Sequence, residues 1–411
     1  VSTSAGSVLR QFGPMVYAPT VLFSIGDGAI IPLIPIIASR LGADVALAAL
    51  VASALVVGEL CGNLPAGWAV ARLGERWTMI IAGLVSMGSA GMMLLSSELW
   101  GFTASVFLMG FCAAAFGLAR HAFMTTRVPI AFRARALSLL GGSNRLGVFI
   151  GPFVAAALLG LFGTPYSAIW FFLVCVGATV VLVAFGPDPE KEFAAATPSA
   201  ADGPGPRTAP GTGVIRTMWN NRAVLGRLGV AAAALSAVRS TRQVVLPLWG
   251  VSLGLDAQTI AIVVGVSGAI DFALFYASGQ VMDRFGRLWA ALPATILMGL
   301  GFLALSFTHD LDSATVWFVV LGGVLGLGNG LSSGILMTLG ADTAPQAEPA
   351  AFLGSWRTLT NAGAAAAPLL VSAITAATAL PLAVAVMGAV GLLGAAGFLR
   401  WIPRYVPRMT E

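Results

Sequence analysis

The chain has 411 residues, of which 58% are apolar and only 9% are Asp, Glu, Lys or Arg, against roughly a quarter charged in a soluble globular domain. That composition excludes a soluble enzyme, a disordered chain and a nucleic-acid-binding module; the net charge of +5 is not gathered into any basic run. Three cysteines, Cys61, Cys112 and Cys175, lie in apolar stretches without metal-ligand spacing and read as buried thiols.

Apolar runs of about 20 residues span a bilayer as helices, because only a helix satisfies its own backbone in hydrocarbon. Twelve such spans are predicted, at 14–38, 45–70, 77–96, 101–125, 136–161, 166–186, 223–250, 257–282, 289–307, 313–340, 350–376 and 380–402. The first run is too long for a cleavable signal and leads into a second span. A stretch rich in Pro, Gly, Ala and Thr at 187–222 predicts a flexible linker. Within it, 214–222 reads either as a short interfacial helix or as the start of the seventh span. The expected organisation is therefore a six-helix bundle over 1–186, a linker over 187–222 and a second bundle over 223–411. Sixteen basic residues fall on the side of the N-terminus, here side one, and Arg40 alone on side two. By the positive-inside rule side one is expected to be the cytoplasm, with both termini inside a bacterial plasma membrane.

The halves repeat each other. GWAVARLGERW (67–77) aligns with GQVMDRFGRLW (279–289) at an offset of 212, which also relates Pro35 to Pro247, Asp44 to Asp256, Glu59 to Asp271 and Asp27 to Arg239. Pro129, Gly147 and Pro152 map onto Pro345, Gly363 and Pro368 at 216, so four extra residues are expected between the third and fifth spans of the second half. Parallel duplication of six spans is a secondary-transporter architecture, with the site between the halves.

Gly279, Asp283, Arg284, Gly286 and Arg287 resemble the signature loop of the major facilitator superfamily. The first copy keeps Gly67, Arg72, Gly74 and Arg76, with Ala71 in place of the acid and Glu75 in place of a base. Gly147, Gly151 and Pro152 are similar to the family's exporter-associated motif, with Ala155 and Ala156 where glycines are usual; the arginine the family often carries in span four is Val106 here. The resemblance covers essentially the whole chain. It implies an all-α fold of two pseudo-symmetric six-helix bundles, a cytoplasmic gating loop in each half, and a cavity lined by spans one, four, seven and ten. In that architecture span two packs on span eleven and span five on span eight. The loop glycines are expected to allow tight turns and close helix approach, and Asp283 to accept hydrogen bonds across the halves.

Eight ionisable residues fall inside spans: Asp27, Glu59, Arg120, Arg145, Arg239, Arg242, Asp271 and Arg357. Each calls for a partner, a cavity or a role, since a charge at mid-span costs about 2.5–3.5 kcal/mol. The helix packing that the resemblance implies, with depths that agree to about a turn, predicts two pseudo-symmetric pairs, Glu59–Arg357 and Asp271–Arg145, either static or breaking as the halves rock. Asp27, Glu59 and Asp271 are the proton-coupling candidates. Phe23, Arg120, Arg239, Arg242, Asn329 and Met337 are the substrate-binding candidates. Asp27 with Arg120, Arg239 and Arg242 gives the presumed cavity a formal charge of about +2, which favours an anionic or zwitterionic solute.

No catalytic constellation, metal cluster or nucleotide-binding loop is present in the sequence, and no cofactor or metal is expected. The resemblance implies an ion-coupled secondary transporter, with proton-driven export of amphiphilic small molecules as the first reading. Transport of organic anions, zwitterions or lipids by way of the arginines is the second, and a non-transporting receptor the third. The expected partners are a small-molecule substrate, protons and the lipid bilayer, and the expected state is a monomer.

Overall fold

The computed structural model describes residues 16–127, 130–186, 219–345 and 349–406. Among them are twelve helices long and apolar enough to cross a membrane, and they form two six-helix bundles. In order these are α1 (Ala18–Arg40), α2 (45–73), α3 (75–95), α4 (Leu99–Arg127), α5 (Ile130–Phe162), α6 (Tyr166–Phe185), α7 (Arg222–Ser252), α8 (Ala257–Phe285), α9 (Arg287–Ser306), α10 (Ala314–Thr343), α11 (Pro349–Ala377) and α12 (Leu380–Tyr405). Of the proposed interfacial segment 214–222, residues 214–218 lie outside the described residues, as does nearly all of the proposed linker.

The repeat is visible as geometry. Asp44 and Asp256 each cap the helix that follows, accepting from the backbone N–H of Leu47 at 2.8 Å and of Thr259 at 2.9 Å. The Thr259 hydroxyl also donates to Asp256, at 2.6 Å. These bonds, the hydroxyl's first, hold the Asp256 carboxyl below the usual range. Gly74 breaks Val45–Leu95 with φ 81° and ψ 169°, and its repeat mate Gly286 separates α8 from α9 with φ 90° and ψ 168°. Both conformations are open to glycine and strained for any other residue. The offset changes in one place. Residues 96–98 join α3 to α4, whereas 307–313 join α9 to α10, so the four extra residues sit in a side-two loop. Beyond it the 216 offset holds: Gly110 presses on the Leu55 backbone, and Gly326 on the Ser267 backbone.

Within the first half, the Gly147–Gly151–Pro152 motif is a packing seam. A Cβ on Gly147 would lie 2.5 Å from that of Ser24, and one on Gly151 2.5 Å from the Gly28 carbonyl carbon. The motif brings the α5 backbone directly onto α1. Between the halves, α2 packs on α11 and α5 on α8. Toward side two this seam is closed: Ser372 donates to the Ala46 carbonyl at 3.0 Å, and Gly160 faces Gln258. Toward side one, Cys61, Asn63, Arg357, Thr358 and Asn361 are exposed, so Cys61 is not the buried thiol its apolar surroundings suggested. Cys112 and Cys175 are buried.

The signature loops differ from expectation in two respects. Only Gly74 and Gly286 need to be glycine, since a Cβ at Gly279 meets nothing within 4 Å and one at Gly67 only a Leu118 methyl at 3.9 Å. Asp283 is 83% exposed and pairs with Arg287 of its own half at 3.6 Å, and among the described residues it has no partner across the halves. Arg287 bonds Asp342 at the end of α10, 2.8 Å away. Arg76 fastens the end of α6, donating to the carbonyls of Val183, Ala184 and Gly186. Arg72 lies over Trp68 and Arg284 over Phe285. Gly74→Ala and Gly286→Ala are each expected to cost about 1–2 kcal/mol, seen as a lower thermal midpoint in detergent, while Gly279→Ala leaves the midpoint in place. Equal effects of all three would remove the backbone explanation.

Candidate functional site: a polar cavity between the halves

A cavity of about 300 Å³ lies at mid-span, lined by Glu59 of α2, Asn144, Arg145 and Phe149 of α5, Ser236, Arg239, Ser240, Arg242 and Gln243 of α7, Gly268, Asp271 and Phe272 of α8, Asn329 of α10 and Ala364 of α11. Ser236, Arg239, Ser240 and Gln243 are spaced i, i+3, i+4, i+7, so α7 turns one polar stripe to the cavity. That spacing is readable in the sequence and would have identified Ser236, Ser240 and Gln243, which the charge-based reading missed.

Asp271 organises the wall. Its Oδ1 lies 2.9 Å from Arg145 Nη1, a pair that crosses from α8 to α5. Its Oδ2 accepts from Asn329 Nδ2 at 2.7 Å and lies 3.6 Å from Arg242 Nη2. Asn329 in turn accepts from Arg239 Nε at 2.9 Å. Arg242 donates to the Ser267 hydroxyl at 2.8 Å, and the Arg145 guanidinium sits 4.8 Å above the Phe275 ring. Arg242 is buried in this network and does not reach the side-two headgroups. The terminal nitrogens of Arg239 have no hydrogen-bond or ion-pair partner among the described residues and face the cavity.

A second cluster lies behind the first-half wall. Asn144 Oδ1 accepts from Arg120 Nη2 and from the Ser24 hydroxyl, each at 2.8 Å. Asp27 lies within electrostatic reach of both Arg120 and Glu59 there. Asp27 Oδ1 and Arg120 Nη1 are buried without a hydrogen-bond partner. The Glu59 carboxylate has no hydrogen-bond or ion-pair partner among the described residues, and it lines the cavity.

Several expectations are corrected. Spans one and four do not line the cavity; α2, α5, α8 and α11 do, beside α7 and α10. Asp27 and Arg120 therefore sit one layer back. Phe23 is a packing residue, stacked on Phe116 at 4.5 Å and edge-on to Phe172 at 6.1 Å. Met337 is 67% exposed, because α10 breaks at Ser332–Gly334 and Met337 lies beyond the break. The Glu59–Arg357 pair is not made, since Arg357 is exposed. Arg145 aligns with Asn361, so Arg357 stands four residues, about one 6 Å turn, nearer side one than a symmetric partner would. With Arg145, Glu59 and Asp271 included, the four arginines face three acids, a formal charge nearer +1 than +2.

Removing Asp271 leaves three neighbouring guanidinium groups without their counter-ion. Asp271→Ala is expected to destabilise the fold by about 3–5 kcal/mol. Adding Arg242→Met to that variant should restore part of the loss in a double-mutant cycle read by thermal unfolding. Simple additivity of the two would show that the cage is not a unit.

The sequence profile of the Major Facilitator Superfamily matches residues 18–354 and, in a second alignment, 272–411. No curated protein matches the sequence. Solved structures share the fold at low identity. An auto-inhibited peptide transporter of the POT family is 15% identical over 98% of both chains, with a TM-score of 0.73. A D-xylose–proton symporter is 15% identical over 95% of this chain and 97% of its own, with a TM-score of 0.71. The inward-open xylose transporter of E. coli is 15% identical over 97% of both chains, with a TM-score of 0.69. Twelve apolar spans, a duplicated six-helix unit and a profile match over nearly the whole described chain agree, and this integral membrane protein belongs to the Major Facilitator Superfamily of transporters.

Proposed function

We propose that the protein moves a small solute bearing a carboxylate or phosphate by alternating access, coupled to protons. The observation that carries this reading is the convergence of Arg145, Arg239 and Arg242 on one cavity between the halves, with Arg239 still offering donors. The closed side-two seam and the exposed residues on side one fit a conformation open to side one. The excess of basic residues there supports side one as the cytoplasm, and hence both termini inside a plasma membrane. Proton coupling draws support from Asp27, whose buried carboxyl lacks a hydrogen-bond partner at one oxygen, and from the proton symporter among the structures of like fold. Glu59 and Asp271 are the further candidates, and the Arg145–Asp271 pair is a candidate gate. The transporter acts as a monomer, without a cofactor.

Proton-driven export of amphiphiles is the second reading. The Gly147–Gly151–Pro152 seam between α1 and α5 favours it, whereas the polar, arginine-bearing wall favours the first.

Proteoliposome counterflow with a panel of small carboxylates, phosphates and cationic amphiphiles distinguishes the two. Arg239→Gln is expected to lower carboxylate or phosphate exchange at least tenfold. Asp27→Asn is expected to abolish accumulation driven by a pH gradient while leaving counterflow measurable. Exchange confined to cationic amphiphiles would overturn the anion reading. Undiminished gradient-driven accumulation by Asp27→Asn would remove Asp27 from coupling.

A further inference from the structure

The charges around the cavity are unevenly shared. Glu59 borders it, with Asp27 and Arg120 one layer behind, whereas Arg145, Arg239 and Arg242 gather about a single acid, Asp271. Asp271 is saturated, with both oxygens engaged by the cage. Glu59 is not: its carboxylate has no hydrogen-bond or ion-pair partner among the described residues, yet it borders the cavity. Arg239 is its counterpart on the second half, held at Nε by Asn329 at 2.9 Å with its terminal nitrogens open. Both groups are half-buried and open onto the cavity, where at mid-span a charge without a protein partner is costly and a bound solute can supply the opposite charge.

We infer that Glu59 is an ammonium subsite opposite the Arg239 anion subsite, so that the solute is a small zwitterion bridging the halves. The inference rests on the anion reading above and adds the second charge. A metal ion is a poor occupant of this position, since no group of three or more His, Cys, Asp or Glu residues gathers among the described residues. An ammonium needs only one carboxylate, and the stacked rings of Phe149 and Phe272, 5.6 Å apart in the same wall, give its alkyl stem an apolar bed. The volume of about 300 Å³ lies at the small end of ligand pockets. Because Glu59 stands on α2 and Arg239 on α7, a ligand that satisfies both ties the two halves together at mid-span.

The test uses the purified full-length protein and three straight-chain probes of equal length: 6-aminohexanoate, hexanoate and hexylamine. Each is titrated against the thermal unfolding midpoint. The zwitterion is expected to bind at least tenfold more tightly than hexanoate, equivalent to about 1.4 kcal/mol, with hexylamine the weakest. Glu59→Gln should erase the difference between the first two, Glu59→Asp should retain it, and Arg239→Gln should weaken both. Equal binding of hexanoate and 6-aminohexanoate to the wild type overturns the ammonium subsite and leaves the anion reading standing. Hexylamine binding as tightly as the zwitterion overturns the bridge. No midpoint shift with either carboxylate removes the anion reading and the zwitterion with it. The wild-type comparison decides the matter even where Glu59→Gln fails to fold.

Discussion

One carboxylate in a low-dielectric setting fixes the geometry of the centre. Asp271 meets Arg145, Arg242 and Asn329 directly and Arg239 through Asn329. Four helices, α5, α7, α8 and α10, are thereby held in register by a single side chain. Three guanidinium groups this close repel one another, so the acid must stay where all of them can use it. Arg145 is the one member of the group contributed by the first half. The same contact that neutralises the cavity is therefore also a strut between the bundles.

The duplication survives where backbone geometry demands it and lapses where charge is used. Gly74 and Gly286 share one unusual backbone conformation, and Asp44 and Asp256 share one capping bond, because a reversed chain and an exposed helix start pose the same problem twice. The membrane charges diverge. Asp27 aligns with Arg239, and Arg145 with the exposed Asn361. Glu59 and Asp271 remain equivalent in position, yet only Asp271 found an arginine at its own depth. This lapse leaves Glu59 without a partner among the described residues at the cavity's edge and gathers Arg145, Arg239 and Arg242 about Asp271.

Helix positions, the repeat and the side-two insertion were readable from hydropathy, Gly and Pro spacing and an offset count. The Asp271–Arg145 pairing was readable from the helix packing that the family resemblance implies together with depth. Which helices face the cavity was not, because that depends on the tilt of whole bundles, and hydropathy along one helix does not report tilt. Phe23 was expected in the wall and is instead locked between Phe116 and Phe172. Met337 fell outside because Gly334, at φ 77°, breaks α10 in a way its flanking apolar residues conceal. The polar stripe of α7 was present as a helical period, but two of its members are serines, which carry too little hydrophobic contrast to stand out beside two arginines.

Asn144 and Arg145 are adjacent on α5 and serve different clusters. Asn144 accepts from Arg120 and Ser24 behind the cavity, and Arg145 pairs with Asp271 across the halves. Gly147 and Gly151 keep this stretch of α5 pressed against α1, the helix that carries Asp27. Breaking the Arg145–Asp271 contact as the halves separate would then shift the surroundings of Asn144 in the same motion. The exporter-like seam is thus a close α1–α5 pair that places the interface contact of Arg145 and the carboxyl of Asp27 on two directly packed helices.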